Sequence, residues 1–69
     1  MKIFMFKTNI KESEKKMIGD ILSQYRGIKK WKIDFENKNN VLQVDCYGVT
    51  EQKIIASIKA AGYDCKEIS

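Results

Sequence analysis

The stretch Ile28-Lys29-Lys30-Trp31-Lys32-Ile33-Asp34-Phe35-Glu36, followed by Asn37-Lys38-Asn39-Asn40 and Val41-Leu42-Gln43-Val44-Asp45-Cys46-Tyr47, decides how this chain folds. Trp31, Ile33 and Phe35 alternate with Lys30, Lys32, Asp34 and Glu36, the period-two pattern of a half-buried strand. Leu42, Val44 and Cys46 repeat the pattern and predict a second strand over Val41–Tyr47. Asparagine tolerates left-handed backbone, so residues 37–40 read as the turn of a hairpin.

Outward from the hairpin, the chain is patterned alike on both sides. Toward the N-terminus, Met17, Ile18, Ile21, Leu22 and Tyr25 recur at three- and four-residue spacing, which is one face of a helix. That helix is expected to start at about Lys11 or Glu12, with Glu12 and Glu14 in the first turn, where carboxylates suit the helix dipole. Gly27 is its expected terminator. Before it, the aromatic and β-branched run Lys2–Thr8 predicts a strand apolar on both faces, as a central strand is, with Phe4 and Phe6 toward the helices and Ile3 and Met5 on the other side. Toward the C-terminus, Thr50 is an expected N-cap with Glu51 in the first turn. Ile54, Ile55, Ile58 and Ala61 form the buried stripe, Gly62 the stop, and Tyr63–Ile68 a short last strand.

The order β-α-β-β-α-β predicts an α+β, ferredoxin-like domain spanning residues 1–69: a four-stranded antiparallel sheet with two helices on one face. At 69 residues the chain has no room for a large enclosed pocket. Its 43% hydrophobic and 32% charged residues argue against disorder. A net charge of +4 favours acidic partners but is a weak argument for nucleic acid. No signal sequence or membrane span is visible, so a cytoplasmic protein with reduced thiols is expected. There is no histidine, phosphate loop or nucleophile–base pair, so no enzyme is expected.

Several segments resemble the heavy-metal-associated domain of copper chaperones and of the N-terminal modules of metal-pumping ATPases. These are Phe6-Lys7-Thr8-Asn9-Ile10, Gly27-Ile28 with Trp31, Ile33 and Phe35, and Ile54-Ile55, Ile58 and Ala61-Gly62-Tyr63-Asp64. Together they span nearly the whole chain. That family holds soft cations between two thiolates of a Cys-x-x-Cys at the start of the first helix. Here the loop reads Ile10-Lys11-Glu12-Ser13-Glu14-Lys15-Lys16. Aligned on the helix stripe, the cysteine positions fall on Lys11 and Glu14; aligned on the first strand, they fall on Glu12 and Lys15. Neither choice supplies a sulfur, so no metal cofactor is expected.

The resemblance implies a binding module that has lost its metal ligands and keeps a protein-interaction or accessory role near metal homeostasis. The alternative is residual or altered metal-ion binding or transport, through the loop at 11–16 or through the thiols of Cys46 and Cys65. Chaperones of this fold meet acidic partners through basic residues beside the loop, which makes Lys11, Lys15 and Lys16 candidate contacts. The family also places the equivalent of Tyr63 near the loop. Glu12 has Lys15 and Lys16 as local ion-pair candidates. Arg26, Lys29, Lys30 and Lys32 form a second basic cluster, of the kind that guards an edge strand. A monomer is expected, and neither a membrane nor nucleic acid as partner. RNA binding on the sheet would need exposed aromatics on the central strands.

Overall fold

Side chains alternating along the hairpin strands must bury one face, and the two helical stripes supply the cover. A computed structural model describes residues 1–36 and 38–68. It contains β1 (Lys2–Thr8), a 3-10 turn (Glu12–Glu14), α1 (Lys15–Leu22), β2 (Ile28–Asp34), β3 (Val41–Cys46), α2 (Glu51–Ala60) and β4 (Cys65–Glu67). The sheet order is β2-β3-β1-β4 with every neighbouring pair antiparallel, as the ferredoxin-like reading requires. Phe6, Leu42, Val44 and Cys46 from the sheet meet Ile18 and Leu22 of α1 and Ile54 and Ile58 of α2, all fully buried.

Both ends of α2 follow from two residues. The Thr50 side chain accepts the Lys53 N–H at 3.3 Å. At the other end Gly62 takes φ +96°, a left-handed conformation that glycine adopts without a Cβ penalty. Its N–H reaches the Lys59 carbonyl at 2.9 Å, and the Tyr63 N–H reaches the Ile58 carbonyl at 3.3 Å. This is a Schellman cap, and it fixes where Tyr63 emerges.

Some boundaries differ from the sequence reading. The helical onset is at Glu12, but the first turn is 3-10 and α1 proper starts at Lys15. Gly27 does not terminate α1, which ends at Leu22. Tyr25 stays in phase with the stripe because Gln24 and Tyr25 donate to the Ile21 and Leu22 carbonyls in tight i→i−3 turns. Gly27 has a different reason to be glycine. A Cβ there would lie 2.0 Å from the Tyr47 carbonyl oxygen, where the chain crosses the end of β3. Met17 and Ala61 are exposed rather than part of the buried stripes. β2 stops at Asp34, β3 at Cys46, and the last strand has three residues. Within the hairpin turn Asn40 has φ +43°, as the asparagine argument expects; Asn37 lies outside the described residues. Trp31 is half-buried against the core, with its ring over Gly19 of α1.

Ile3 and Met5 project from the helix-free face and are exposed. The outward positions of the central strands β1 and β3 carry no aromatic residue: Ile3, Met5 and Lys7 on one, Val41, Gln43 and Asp45 on the other. No helix among the described residues is long and apolar enough to cross a membrane.

Candidate functional site

The loop from β1 into the first helical turn is built around Thr8, the last residue of β1. Its buried hydroxyl donates to the Asn40 carbonyl at 2.7 Å and accepts the Ile10 N–H at 3.3 Å. Its own N–H donates to the Asn39 carbonyl at 3.0 Å. Left-handed Asn40 turns its side chain back, and Nδ2 donates to the Ile10 carbonyl at 2.7 Å. On the opposite side Asn9 Oδ1 accepts the Asp64 N–H at 2.9 Å. The Ile10 side chain is fully buried and anchors the loop from below. The loop is therefore held by the β2–β3 turn on one side and the entry to β4 on the other.

Lys11 follows in extended backbone (φ −93°, ψ 157°), at the N-cap position. Its side chain offers no acceptor for the exposed N–H groups of the turn. Glu14 closes the turn instead. Its Oε1 accepts the Lys11 N–H at 2.9 Å, while the Glu14 N–H donates to the Lys11 carbonyl at 2.9 Å. The Schellman cap of α2 brings Tyr63 over this turn, where its hydroxyl donates to Met17 Sδ at 3.4 Å. The Lys11 N–H, then the Tyr63 hydroxyl, hold the Glu14 carboxyl below the usual glutamate range, aided by the Lys11 charge and opposed by partial desolvation. The same contact raises the Tyr63 phenol, together with desolvation and the Glu14 charge.

Of the six residues singled out in sequence, the structure gathers Lys11, Glu14 and Tyr63 into this network. Glu12, Lys15 and Lys16 are exposed around it. Glu12 pairs with neither Lys15 nor Lys16; the ion pair among the described residues is Lys30 with Asp45, at 3.7 Å. Thr8, Asn9, Met17 and Asn40 also belong to the site. Thr8 and Asn9 stand in the Phe6–Ile10 run that carries the resemblance, Met17 in the helical stripe and Asn40 in the asparagine turn, and none of these signals shows how the residues meet around the loop.

The donor set does not fit a soft metal ion. The loop offers two carboxylates among three lysines, and Glu14 Oε1 already accepts the Lys11 N–H. Among the described residues no group of three or more His, Cys, Asp or Glu side chains is placed to hold an ion. The thiols lie apart, with only Cys65 beside the loop. Cys46 pairs with Lys2 and Cys65 with Thr8, at opposite ends of β1 and on opposite sides of it. Six residue steps along a strand span roughly 20 Å, far beyond a disulfide or a shared ion. Burial pushes the Cys46 thiol up and the Cys65 thiol up to about 11, so both stay protonated and unreactive at neutral pH in the metal-free fold.

Similar solved structures share this arrangement of sheet, loop and helices. The yeast copper transporter domain Ccc2A, solved in apo and Cu(I)-loaded states, superposes with a TM-score of 0.85 at 21% identity, covering 100% of this chain and 97% of that one. The N-terminal domain of PacS from Synechocystis gives 0.82 at 13% identity, with both chains covered in full. The fold is that of the heavy-metal-associated domains. The N-terminal domain of ZntA in its Zn(II) form shares it too, with a TM-score of 0.77 at 15% identity over 94% of this chain and 89% of that one. No family model matches the sequence, and no curated protein matches it. Within the heavy-metal-associated fold, this chain carries a carboxylate, a phenol and lysines around the mouth of the first helix.

Proposed function

We propose that this domain is a protein-docking module on the heavy-metal-associated scaffold, working without a metal at residues 11–16. The reading rests on one observation. The Glu14 carboxylate accepts the Lys11 N–H at 2.9 Å and closes the first turn on itself, at the place where a soft-metal site would need a sulfur donor. The turn holds no pair of soft donors. Lys11, Lys15 and Lys16 stand exposed beside it, and Tyr63 covers it. Such a surface suits an acidic protein partner, because exposed lysines steer association more than they add affinity. The role is that of a non-enzymatic accessory near metal homeostasis. The similar structures determined with Cu(I) or Zn(II) supply that context.

The test is thermal unfolding of the reduced protein, with and without Cu(I) or Zn(II), beside a Cys46→Ser/Cys65→Ser variant. The melting temperature is expected not to move with either ion, since a ligand that binds only the native state would raise it. A metal-dependent rise that persists in the cysteine-free variant overturns the reading.

A further inference from the structure

The edge of β2 carries a feature that the loop surface does not explain. β2 is an outer strand of the sheet, so one side of it presents backbone N–H and C=O groups with no neighbouring strand. Between Ile28 and Lys30 the pairing with β3 slips by a bulge, and the regular part of the edge runs from Lys30 to Asp34. Arg26, Lys29, Lys30 and Lys32 are all exposed along it. Lys30 is committed to Asp45 at 3.7 Å, and Asp34 supplies one carboxylate, which accepts the Glu36 N–H at 3.1 Å. Lys29 lies over the Tyr47 ring at 5.9 Å, and Arg26, Lys29 and Lys32 form a basic rim with no ion pair among the described residues.

Trp31 sits in the middle of this edge, half-buried, with a hollow on either side of the sheet. On the helix side a space of about 190 Å³ lies between Gly19 and Ser23 of the first helical segment and Ile28 to Trp31. On the open side one of about 110 Å³ lies between Lys30, Lys32 and Gln43. A strand laid along β2 would send alternate side chains to opposite faces, one set toward each hollow.

We propose that the β2 edge is a docking site for an extended acidic segment of a partner protein, which adds to the sheet as a fifth strand. Backbone pairing supplies the affinity, and the basic rim selects the sequence. The lysines decide the occupant. A second copy paired antiparallel over the whole of β2, in register about Trp31, would set Lys30 against Lys32, and like charges directly opposite are unfavourable. A strand whose side chains carry carboxylates on the Lys30 and Lys32 face meets them with opposite charge. The same residues thus disfavour this chain over the full length of β2 and admit an acidic one, and self-association through β2 in place of peptide binding counts against the proposal. This surface is separate from the loop at 11–16, so either proposal stands or falls without the other.

The probe is an end-blocked eight-residue peptide of alternating valine and glutamate, titrated into the full chain and followed by amide shifts, the Trp31 indole signal and hydrogen exchange. The expected result is shifts confined to residues 26–34 and the Trp31 indole, with slowed exchange of amides between Lys30 and Asp34. Lys29→Glu/Lys32→Glu should weaken binding roughly tenfold while the amide dispersion is kept. The same peptide with alternate backbone nitrogens methylated should not bind wild-type protein, a comparison that needs no variant to fold. The proposal is overturned by any of four outcomes. These are no shift at millimolar peptide, equal binding of a valine–lysine peptide, undiminished binding of the methylated peptide, or shifts at 11–16 in place of β2. Tighter binding of a single-stranded oligonucleotide or of anionic vesicles through these residues overturns it as well.

Discussion

Replacing Asn40 tests how the loop is held, because one residue does two jobs there. Its Nδ2 donates to the Ile10 carbonyl at 2.7 Å, and its backbone sits at φ +43°. In Asn40→Ala the carbonyl loses its donor in a partly buried place, which costs about 1–2 kcal/mol. Alanine in left-handed backbone adds about 1 kcal/mol. The sum, about 2–3 kcal/mol, lowers the melting temperature of a domain this small by roughly 10–20 °C. Asn40→Gly loses the same hydrogen bond but adopts the backbone freely, so its loss is smaller, about 1–2 kcal/mol. The assay is urea and thermal unfolding of the three proteins by circular dichroism. The two variants should also share one set of shifted amides, at Thr8 to Lys11. The reasoning is refuted if Asn40→Ala matches wild type within about 0.5 kcal/mol, or if the glycine variant is the less stable of the two.

Three further outcomes follow from the same contacts. Gly27→Ala forces a Cβ toward the Tyr47 carbonyl oxygen, 2.0 Å away, and disturbs the 2.8 Å bond from the Tyr47 N–H to the Gly27 carbonyl. It should cost about 2–4 kcal/mol in a urea melt, and a loss below about 1 kcal/mol would contradict the close approach. The Glu14 carboxyl is depressed in the fold, so its stabilisation is complete above the unfolded value and is lost as pH falls through the lower folded value. The Tyr63 phenol is raised, so its share is complete below the unfolded value near 10 and is lost as pH rises through the folded one. Glu14→Gln should remove the acid-side slope in pH-dependent unfolding and bring the Tyr63 titration down; an unchanged Tyr63 titration would deny the contact. Finally, Cys46 and Cys65 are buried with raised thiols. Iodoacetamide at pH 8 should modify neither in the native protein and both in urea, as read by mass, and fast native labelling would contradict their burial.

The architecture was legible where local pattern and tertiary demand agree. The alternation at Trp31, Ile33 and Phe35 and at Leu42, Val44 and Cys46 gave the hairpin. Thr50 and Gly62 bounded α2 through caps that act within a few residues. Gly27 misled because the nearby end of a helical stripe is the usual reason for a glycine, whereas here the reason is the Tyr47 carbonyl just past β3, twenty positions on. Tyr25 extended the apparent helix because a 3-10 turn keeps nearly the same phase as an α-turn. At the loop, the missing cysteines and the lysines were visible directly. The Asn40–Ile10 bond, formed across 30 positions, was not, and nor was the meeting of Tyr63 with Met17. Such contacts exist only once the sheet order and the α2 cap have brought the segments together.

The central claim is that the mouth of the first helix is closed by Glu14, Lys11 and Tyr63 and takes no metal. The most direct measurement is a titration of the reduced Cys46→Ser/Cys65→Ser protein with Zn(II) and with Cu(I), followed by backbone amide shifts. The account predicts that no amide from Thr8 to Lys16, nor that of Tyr63, moves with either ion. Saturable shifts clustered at Lys11–Lys16 and Tyr63 would contradict it and show a metal site rebuilt with new ligands.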